Sequence, residues 1–126
     1  MTTALGTELI HMFDYCRADT NFDQNLEHAA CTQIRAGNLF HCKEKLDWFN
    51  SGKLWKNGDH SYCVKDYALT ELKILKPKVS VETLKTAIDS VFERCYGDLE
   101  PFGRRPRLKS EEPFLIYKQR RNYGYY

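Results

Sequence analysis

Four cysteine and histidine residues are candidate ligands for one metal ion: Cys31, Cys42, His60 and Cys63. Thiolate sulfur and neutral imidazole nitrogen are the ligands of structural zinc sites, and a His-x-x-Cys pair can hold the metal from a single turn. We therefore predict a Zn²⁺ site of three cysteines and one histidine, in which His41 is an alternative to Cys42.

The cysteines also have a simpler interpretation. The chain has no Cys-x-x-Cys pair, and the spacing of the predicted ligands matches no standard zinc finger. Cys16, Cys42 and Cys95 lie on apolar stripes, where free cysteine packs as a small hydrophobic residue. The total of five cysteines is odd, which favours reduced thiols and a cytoplasmic or nuclear protein.

Basic and aromatic residues are concentrated at the C-terminus. Residues 99–126 contain seven basic and three acidic side chains, a net charge of +4, whereas residues 1–98 carry −2. Arginine and lysine neutralise phosphates, and tyrosine rings stack on unpaired bases. The predicted contacts to RNA or DNA are Arg104, Arg105, Arg107, Lys109, Lys118, Arg120, Arg121, Tyr123 and Tyr125. A solubilising tail, or one that packs on a partner protein, is the alternative.

Motifs that indicate catalysis are missing from the sequence. The chain has no glycine-rich phosphate loop, no G-x-S-x-G and no H-E-x-x-H. A His60–Cys63 dyad lacks the third group that orients the base in most nucleophilic sites. We therefore predict that the protein is not an enzyme.

Residues 25–50 are predicted to form the element that positions the metal ligands. Gly37 can take the left-handed conformation that ends a helix, and Asn38 is a good N-cap for the next one. The segment therefore predicts an αα-hairpin that sets Cys31 opposite Cys42. Apolar residues with helical spacing lie on both sides of Gly37, at Leu26, Ala30, Ile34, Leu39, Cys42, Leu46 and Phe49.

Three further segments have helical periodicity. Residues 4–17 predict a helix whose apolar face carries Leu5, Leu9, Met12, Phe13 and Cys16, residues 66–76 predict a second, and a third begins at the N-cap Ser80 and ends near Gly97. Residues 60–67 are consistent with a short strand or an ordered loop, and Asn57-Gly58 with a β-turn.

The predicted fold is mainly α: a small bundle of four or five helices, with room for a minor β-hairpin and with an extended basic C-terminal tail. We predict a helical domain over residues 1–98 and a tail over residues 99–126.

The last two predicted helices have a second interpretation as a helix-turn-helix. Thr83, Lys85, Thr86 and Asp89 would then face the major groove. Two packed core helices explain the same pattern, and we favour that interpretation because Asp89 would oppose DNA.

The 25–50 segment resembles the helical part of the small pre-coat silencing suppressors of geminiviruses. The matching residues are Leu26, Ile34, Arg35, Ala36, Asn38 and Phe49. This window covers about a fifth of the chain, and the cysteine-histidine cluster that follows it in that family is absent from this sequence. The resemblance therefore implies no fold, activity or site residues, and it favours only a small viral accessory protein.

Together these features predict a non-enzymatic, nucleic-acid-associated or regulatory accessory protein that contacts RNA or DNA through its tail. The alternative is a helical protein–protein interaction module, such as a small viral suppressor, whose tail docks onto a protein partner. No run approaches the ~20 apolar residues of a membrane span, so we expect no membrane contact and a cytoplasmic or nuclear location. An amphipathic stripe can also form a dimer interface, so the sequence is compatible with a homo-oligomer.

Overall fold

The computed structural model describes residues 3–17, 21–22, 24–42, 60–100 and 118. The described ranges contain no strand, and none of their helices has the length and apolar character needed to span a membrane. The main elements are α1 (Thr3–Arg17), α2 (Leu26–Ala36), which continues as a π-helical turn (Gly37–His41), α3 (His60–Leu75) and α4 (Val81–Tyr96). The prediction of a small, mainly helical domain is confirmed.

Helix α2 is the central element and contacts the other three helices. Its N-terminus is fixed by Asn25, whose side-chain oxygen accepts hydrogen bonds from the backbone nitrogens of Glu27 at 3.0 Å and His28 at 3.3 Å. All residues from 32 to 40 are buried. A helix buried on every side needs partners for each polar side chain that it carries.

The predicted hairpin at Gly37 is wrong. Gly37 has φ −62° and ψ −44°, which is right-handed helical geometry, and the chain continues through it into the π-helical turn. Glycine is needed there because a Cβ atom would lie 2.8 Å from Cδ1 of Tyr67. Asn38, the predicted N-cap, is instead buried and donates a hydrogen bond from Nδ2 to the Tyr96 carbonyl oxygen at 2.7 Å. Residues 43–50, the rest of the predicted hairpin, lie outside the described residues.

Helix α4 agrees with its sequence pattern. The Ser80 side chain accepts a hydrogen bond from the backbone nitrogen of Thr83 at 3.3 Å, as expected for an N-cap. The predicted apolar stripe is buried, at Leu84, Ala87, Ile88, Val91 and Cys95. The interpretation of this segment as a packed core helix is therefore confirmed.

Helix α3 starts six residues earlier than its predicted beginning at Asp66. His60 to Tyr67, predicted as a strand or loop, is helical, and Cys63, Val64, Ala68 and Leu72 form its buried face. The four-residue spacing of that face outweighs the weak alternation of polar and apolar residues that suggested a strand. The predicted β-turn at Asn57-Gly58 lies outside the described residues.

Helix α1 packs through a face opposite to the predicted one. Leu5, Leu9 and Met12 are 52%, 39% and 63% exposed, whereas Ile10 is buried. Gly6 allows the close approach on the buried side, because a Cβ atom there would lie 2.3 Å from the Phe40 ring. The helix therefore buries a face that is only partly apolar and leaves its apolar stripe exposed.

Two disulfide bonds cross-link the helices. Cys31 in α2 bonds to Cys95 in α4, and Cys42 at the end of the π-helical turn bonds to Cys63 in α3. The corresponding Cα–Cα distances, 5.4 and 6.0 Å, lie in the usual range for disulfides. Cys16 is the remaining cysteine, free and exposed. The prediction of reduced thiols thus disagrees with the structure for four of the five cysteines.

We expect the Cys31–Cys95 bond to stabilise the fold more than the Cys42–Cys63 bond. Its partners are separated by 64 residues in the sequence, against 21 for the other pair, so it removes more entropy from the unfolded chain. Loop-closure arithmetic gives about 4 and about 3 kcal/mol. Urea unfolding of the two double cysteine-to-serine variants will test this order, with Cys16→Ser as a control that changes little. The reverse order would contradict the loop-length account.

Candidate functional site

The centre of the described fold contains a buried ion pair between Asp14 of α1 and Arg35 of α2. The Arg35 side chain is 0% exposed and that of Asp14 is 6% exposed. Arg35 donates from Nε to Asp14 Oδ2 at 3.0 Å, and its Nη2 lies 2.8 Å from Asp14 Oδ1. This contact is a two-pronged guanidinium–carboxylate pair, the strongest geometry that such groups form.

The remaining donors of Arg35 bind the segment that follows α4. Nη1 donates to the Asp98 carbonyl oxygen at 2.9 Å and Nη2 to the Glu100 carbonyl oxygen at 2.6 Å. Nη1 also lies 3.0 Å from the Asp98 carboxylate. One guanidinium therefore joins α1, α2 and the end of α4, which a lysine with its single nitrogen could not do.

Arg17 forms the outer part of the same network. Its Nη2 contacts Asp98 Oδ2 at 2.6 Å and its Nη1 contacts Glu100 Oε2 at 2.5 Å. The Arg17 side chain is 25% exposed, so water weakens these contacts relative to those of Arg35. The Phe13 ring lies beside both guanidinium groups, 5.2 Å from Arg17 Cζ and 5.9 Å from Arg35 Cζ.

The network changes the acidity of Asp98. Burial alone would raise the pKa of its carboxyl, but the hydrogen bond from Arg17 and the charges of Arg35 and Arg17 together outweigh burial and lower that pKa. Asp98 is therefore held as the carboxylate that pairs with both arginines.

A hydrogen-bond chain extends from the ion pair to the side chain of His11. The Thr32 hydroxyl donates to Asp14 Oδ2 at 2.8 Å, and His11 Nδ1 lies 2.9 Å from Thr32 Oγ1. Because a hydroxyl has one hydrogen and Thr32 gives it to Asp14, His11 Nδ1 must be the donor of the second bond. Burial lowers the pKa of His11 more than the neighbouring carboxylates raise it. The neutral imidazole thus carries its proton on Nδ1 and a lone pair on Nε2.

The structure does not bring the four predicted metal ligands together. Cys31 and Cys42 lie on one continuous helical segment and bond to different partners, so neither offers a thiolate. His60 Nδ1 lies 2.8 Å from the Tyr96 hydroxyl. Within the described ranges, no group of three or more histidine, cysteine, aspartate or glutamate side chains is arranged to hold a metal ion.

One of the nine predicted nucleic-acid contacts, Lys118, lies within the described residues. Lys118 is helical and exposed. The other eight residues of that set lie outside the described part of the chain: Arg104, Arg105, Arg107, Lys109, Arg120, Arg121, Tyr123 and Tyr125.

The sequence matches a known family over most of its length. Residues 1–103 fit the model of the Peptidase M76 family. The chain belongs to this family of peptidases. M76 is a metallopeptidase family, which is compatible with a metal.

Named relatives of the chain are proteases. It is 39% identical over 114 residues to the mitochondrial inner membrane protease ATP23 homolog of Xenopus laevis, covering 90% of this chain and 48% of the frog protein. The human homolog is 36% identical, with 87% of this chain and 44% of the human protein covered. The ATP23 protease of Coccidioides immitis is 32% identical, with 78% and 42% covered. The chain thus spans about half the length of the curated relatives it matches. No solved structure is significantly similar to it.

These comparisons correct four predictions from the sequence. The family is one of peptidases, so the prediction of a non-enzymatic protein is wrong. The relatives are proteases, which overturns both the nucleic-acid-associated or regulatory function and the viral accessory role. Their names place them at the mitochondrial inner membrane, which contradicts the predicted cytoplasmic or nuclear location. The errors arose because a basic, aromatic tail is a feature of composition that proteins of many functions share.

Sequence reasoning also missed the ion pair. The signal was Arg35, an arginine between Ile34 and Ala36 on a helix with apolar periodicity, all three of which are 0% exposed. A charge inside an apolar helix requires a partner. Its partner Asp14 lies on α1, away from the apolar stripe that the sequence predicts as the buried face.

We expect Arg35→Met to destabilise the fold strongly. The change breaks a buried ion pair and leaves the partly exposed Arg17, whose Nε lies 3.3 Å from Asp14 Oδ1, as the only counter-charge of that carboxylate among the described residues. Breaking a buried pair typically costs about 3–5 kcal/mol. Arg17→Met should cost about 1 kcal/mol, since its contacts are partly exposed. Urea unfolding measures both, with Arg94→Met on the exposed surface of α4 as the matched control. An Arg35→Met variant as stable as the Arg94→Met variant would contradict the central role of the pair.

We also expect the contribution of Asp98 to depend on pH. A carboxyl whose pKa is lowered by folding stabilises the fold above its unfolded pKa of about 3.9 and loses that contribution as the pH falls through its folded pKa. The stability difference between the wild type and Asp98→Asn should therefore be constant near neutral pH and narrow below about pH 4. Unfolding free energies measured across this range will test it, and a constant difference would contradict it.

Proposed function

We propose that the protein acts as a peptidase on polypeptide substrates. The match of residues 1–103 to the M76 family carries this proposal. The chain covers 48% of the frog relative and 44% of the human one. We attribute activity to this chain because of its family, and not because of a catalytic group in the described helices. In this proposal the helices α1 to α4 form a rigid, cross-linked scaffold for the catalytic residues.

We further propose that the protein works beside the mitochondrial inner membrane, on a side where disulfides form. The names of the relatives place those proteins at the mitochondrial inner membrane. The two disulfides support an oxidising compartment, because cysteines remain free thiols in reducing compartments.

A metal ion is implied by the family, but the described residues do not fit it. They contain no group of three or more side chains with metal-binding geometry, and four cysteines are engaged in disulfides. We propose zinc as the metal, because it serves peptidases as a Lewis acid that activates water. All four histidines and all five cysteines of the chain lie in the described ranges, so the other residues could add only carboxylate ligands, which alone do not make a catalytic zinc site.

Peptidase activity can be tested directly with the purified, oxidised chain. Incubation with an unfolded polypeptide should yield fragments. A metal chelator should abolish their formation, and added zinc should restore it. Mass spectrometry of the products is the measurement. A mock preparation from cells that lack the chain is the control for contaminating proteases.

Two results would overturn the proposal. An intact substrate after prolonged incubation with zinc would exclude peptidase activity of this chain, and cleavage that survives chelation would exclude the metal. The location is checked in cells that produce the chain: it should co-purify with mitochondria and resist added protease until the outer membrane is opened. Recovery in the cytosol or the nucleus would contradict the proposed location.

A further inference from the structure

Helix α1 differs from a zinc-binding motif at one residue. In the motif H-E-x-x-H the two histidines lie on one face of a helix and bind zinc, and the glutamate is the general base of a metalloprotease. Residues 7–11 of this chain have the sequence Thr-Glu-Leu-Ile-His. Glu8 and His11 therefore match the motif, and Thr7 occupies the position of its first histidine.

The match has one location in the chain. His11 is the only one of the four histidines with a glutamate three residues before it. Residues 7 to 11 all lie within α1, so the side chains of Thr7 and His11 share a face of the helix, as the motif requires. A single substitution therefore separates this segment from the complete motif.

The surroundings of His11 suit a metal ligand. Its Nδ1 donates to the Thr32 hydroxyl, and a histidine that binds a metal ordinarily donates its other ring N–H to such a partner. That bond leaves the lone pair on Nε2. His11 lines a cavity of about 310 Å³ between α1, α2 and α3, together with Glu8 and with Glu71 of α3. The charges of both glutamates act on His11, so carboxylates lie near its ring.

Thr7 cannot replace the missing imidazole. The protein ligands of zinc are thiolate, imidazole and carboxylate groups, and a threonine hydroxyl is none of these. The hydroxyl is also engaged, because it donates to the Ala4 carbonyl oxygen at 2.9 Å. A second hydrogen bond joins the Thr7 side chain to that of Tyr67, which lines the same cavity. Residue 7 thus lies beside the cavity but offers no ligand to it.

We propose that Thr7 leaves this chain without a tight zinc site. The chain keeps the glutamate and the second histidine of the helical motif, and it binds zinc weakly because one imidazole is missing. The substitution accounts for the absence of a metal-binding group among the described residues, although the family is one of metallopeptidases. The inference specifies the metal requirement of the proposed peptidase: cleavage by this chain needs zinc supplied in solution.

The variant Thr7→His tests the inference by calorimetric titration of zinc into the oxidised, chelator-treated chain. It should bind one zinc ion about 100-fold more tightly than the wild type, since even the loss of a hydrogen-bond partner behind a ligand costs about 10–100-fold in metal affinity. The added change His11→Ala should abolish this gain. Thr83→His, an exposed position on α4, is the matched control and should bind zinc as the wild type does.

A second variant conserves the volume of the buried Thr7 side chain. Thr7→Cys introduces a thiolate ligand of nearly the same size, and it should also raise the affinity for zinc. Circular dichroism establishes that each variant is folded, and a free-thiol count one above that of the wild type establishes that Thr7→Cys keeps both disulfides. In Thr7→His, the imidazole nitrogen signals of His11 should shift in nuclear magnetic resonance spectra as zinc saturates the site.

Two results would overturn the inference. The first is a wild-type chain that binds zinc as tightly as Thr7→His or retains one zinc ion through purification with a chelator. The second is a pair of folded variants, Thr7→His and Thr7→Cys, that bind zinc no more tightly than the wild type.

These binding results separate the inference from the proposed function. If Thr7→His binds zinc tightly and neither it nor the wild type cleaves an unfolded polypeptide in excess zinc, the peptidase proposal fails and the inference stands. If the wild type cleaves with tightly retained zinc, the peptidase proposal stands and the inference fails.

Discussion

The ion pair between Asp14 and Arg35 determines how α1 lies on the rest of the described fold. Both charges are buried, so each would be costly without the other. Turning the apolar stripe of α1 inward would move Asp14 away from Arg35 and leave that buried guanidinium with only its contacts to Asp98 and Glu100. The electrostatic requirement therefore outweighs the burial of Leu5, Leu9 and Met12, each worth only a few kcal/mol at most.

The ion pair and the disulfides hold different parts of the fold. One apolar cluster joins α2, α3 and α4 and includes both disulfides. A second, smaller cluster of Ile10, Ala36, Leu39 and Phe40 lies under α1. Covalent bonds thus brace the larger cluster, whereas α1 is held by few apolar contacts and depends on Asp14. A small domain with a limited core gains most from such constraints.

What the sequence could predict depends on whether the signal was local. The N-cap Ser80 and the apolar stripe of α4 can be recognised from neighbouring residues alone, and both predictions are confirmed. Gly37 failed because its role is a close approach to Tyr67, thirty residues away, which no local rule detects. The cysteines failed for a similar reason: five cysteines do not specify their pairing, and Cys31 and Cys42 looked like partners only on the assumption of a hairpin.

The tautomer of His11 follows from the same ion pair. Because the Thr32 hydroxyl gives its hydrogen to Asp14, the imidazole of His11 must donate from Nδ1 and present Nε2 as an acceptor. If the partner of Thr32 were a donor, the histidine tautomer would reverse and Nε2 would carry the proton. A charge buried to position α1 therefore also fixes where the imidazole of His11 carries its proton. These contacts link His11 and Asp14 of α1 to Thr32 and Arg35 of α2. They depend on tertiary packing and therefore leave no periodic pattern in the sequence.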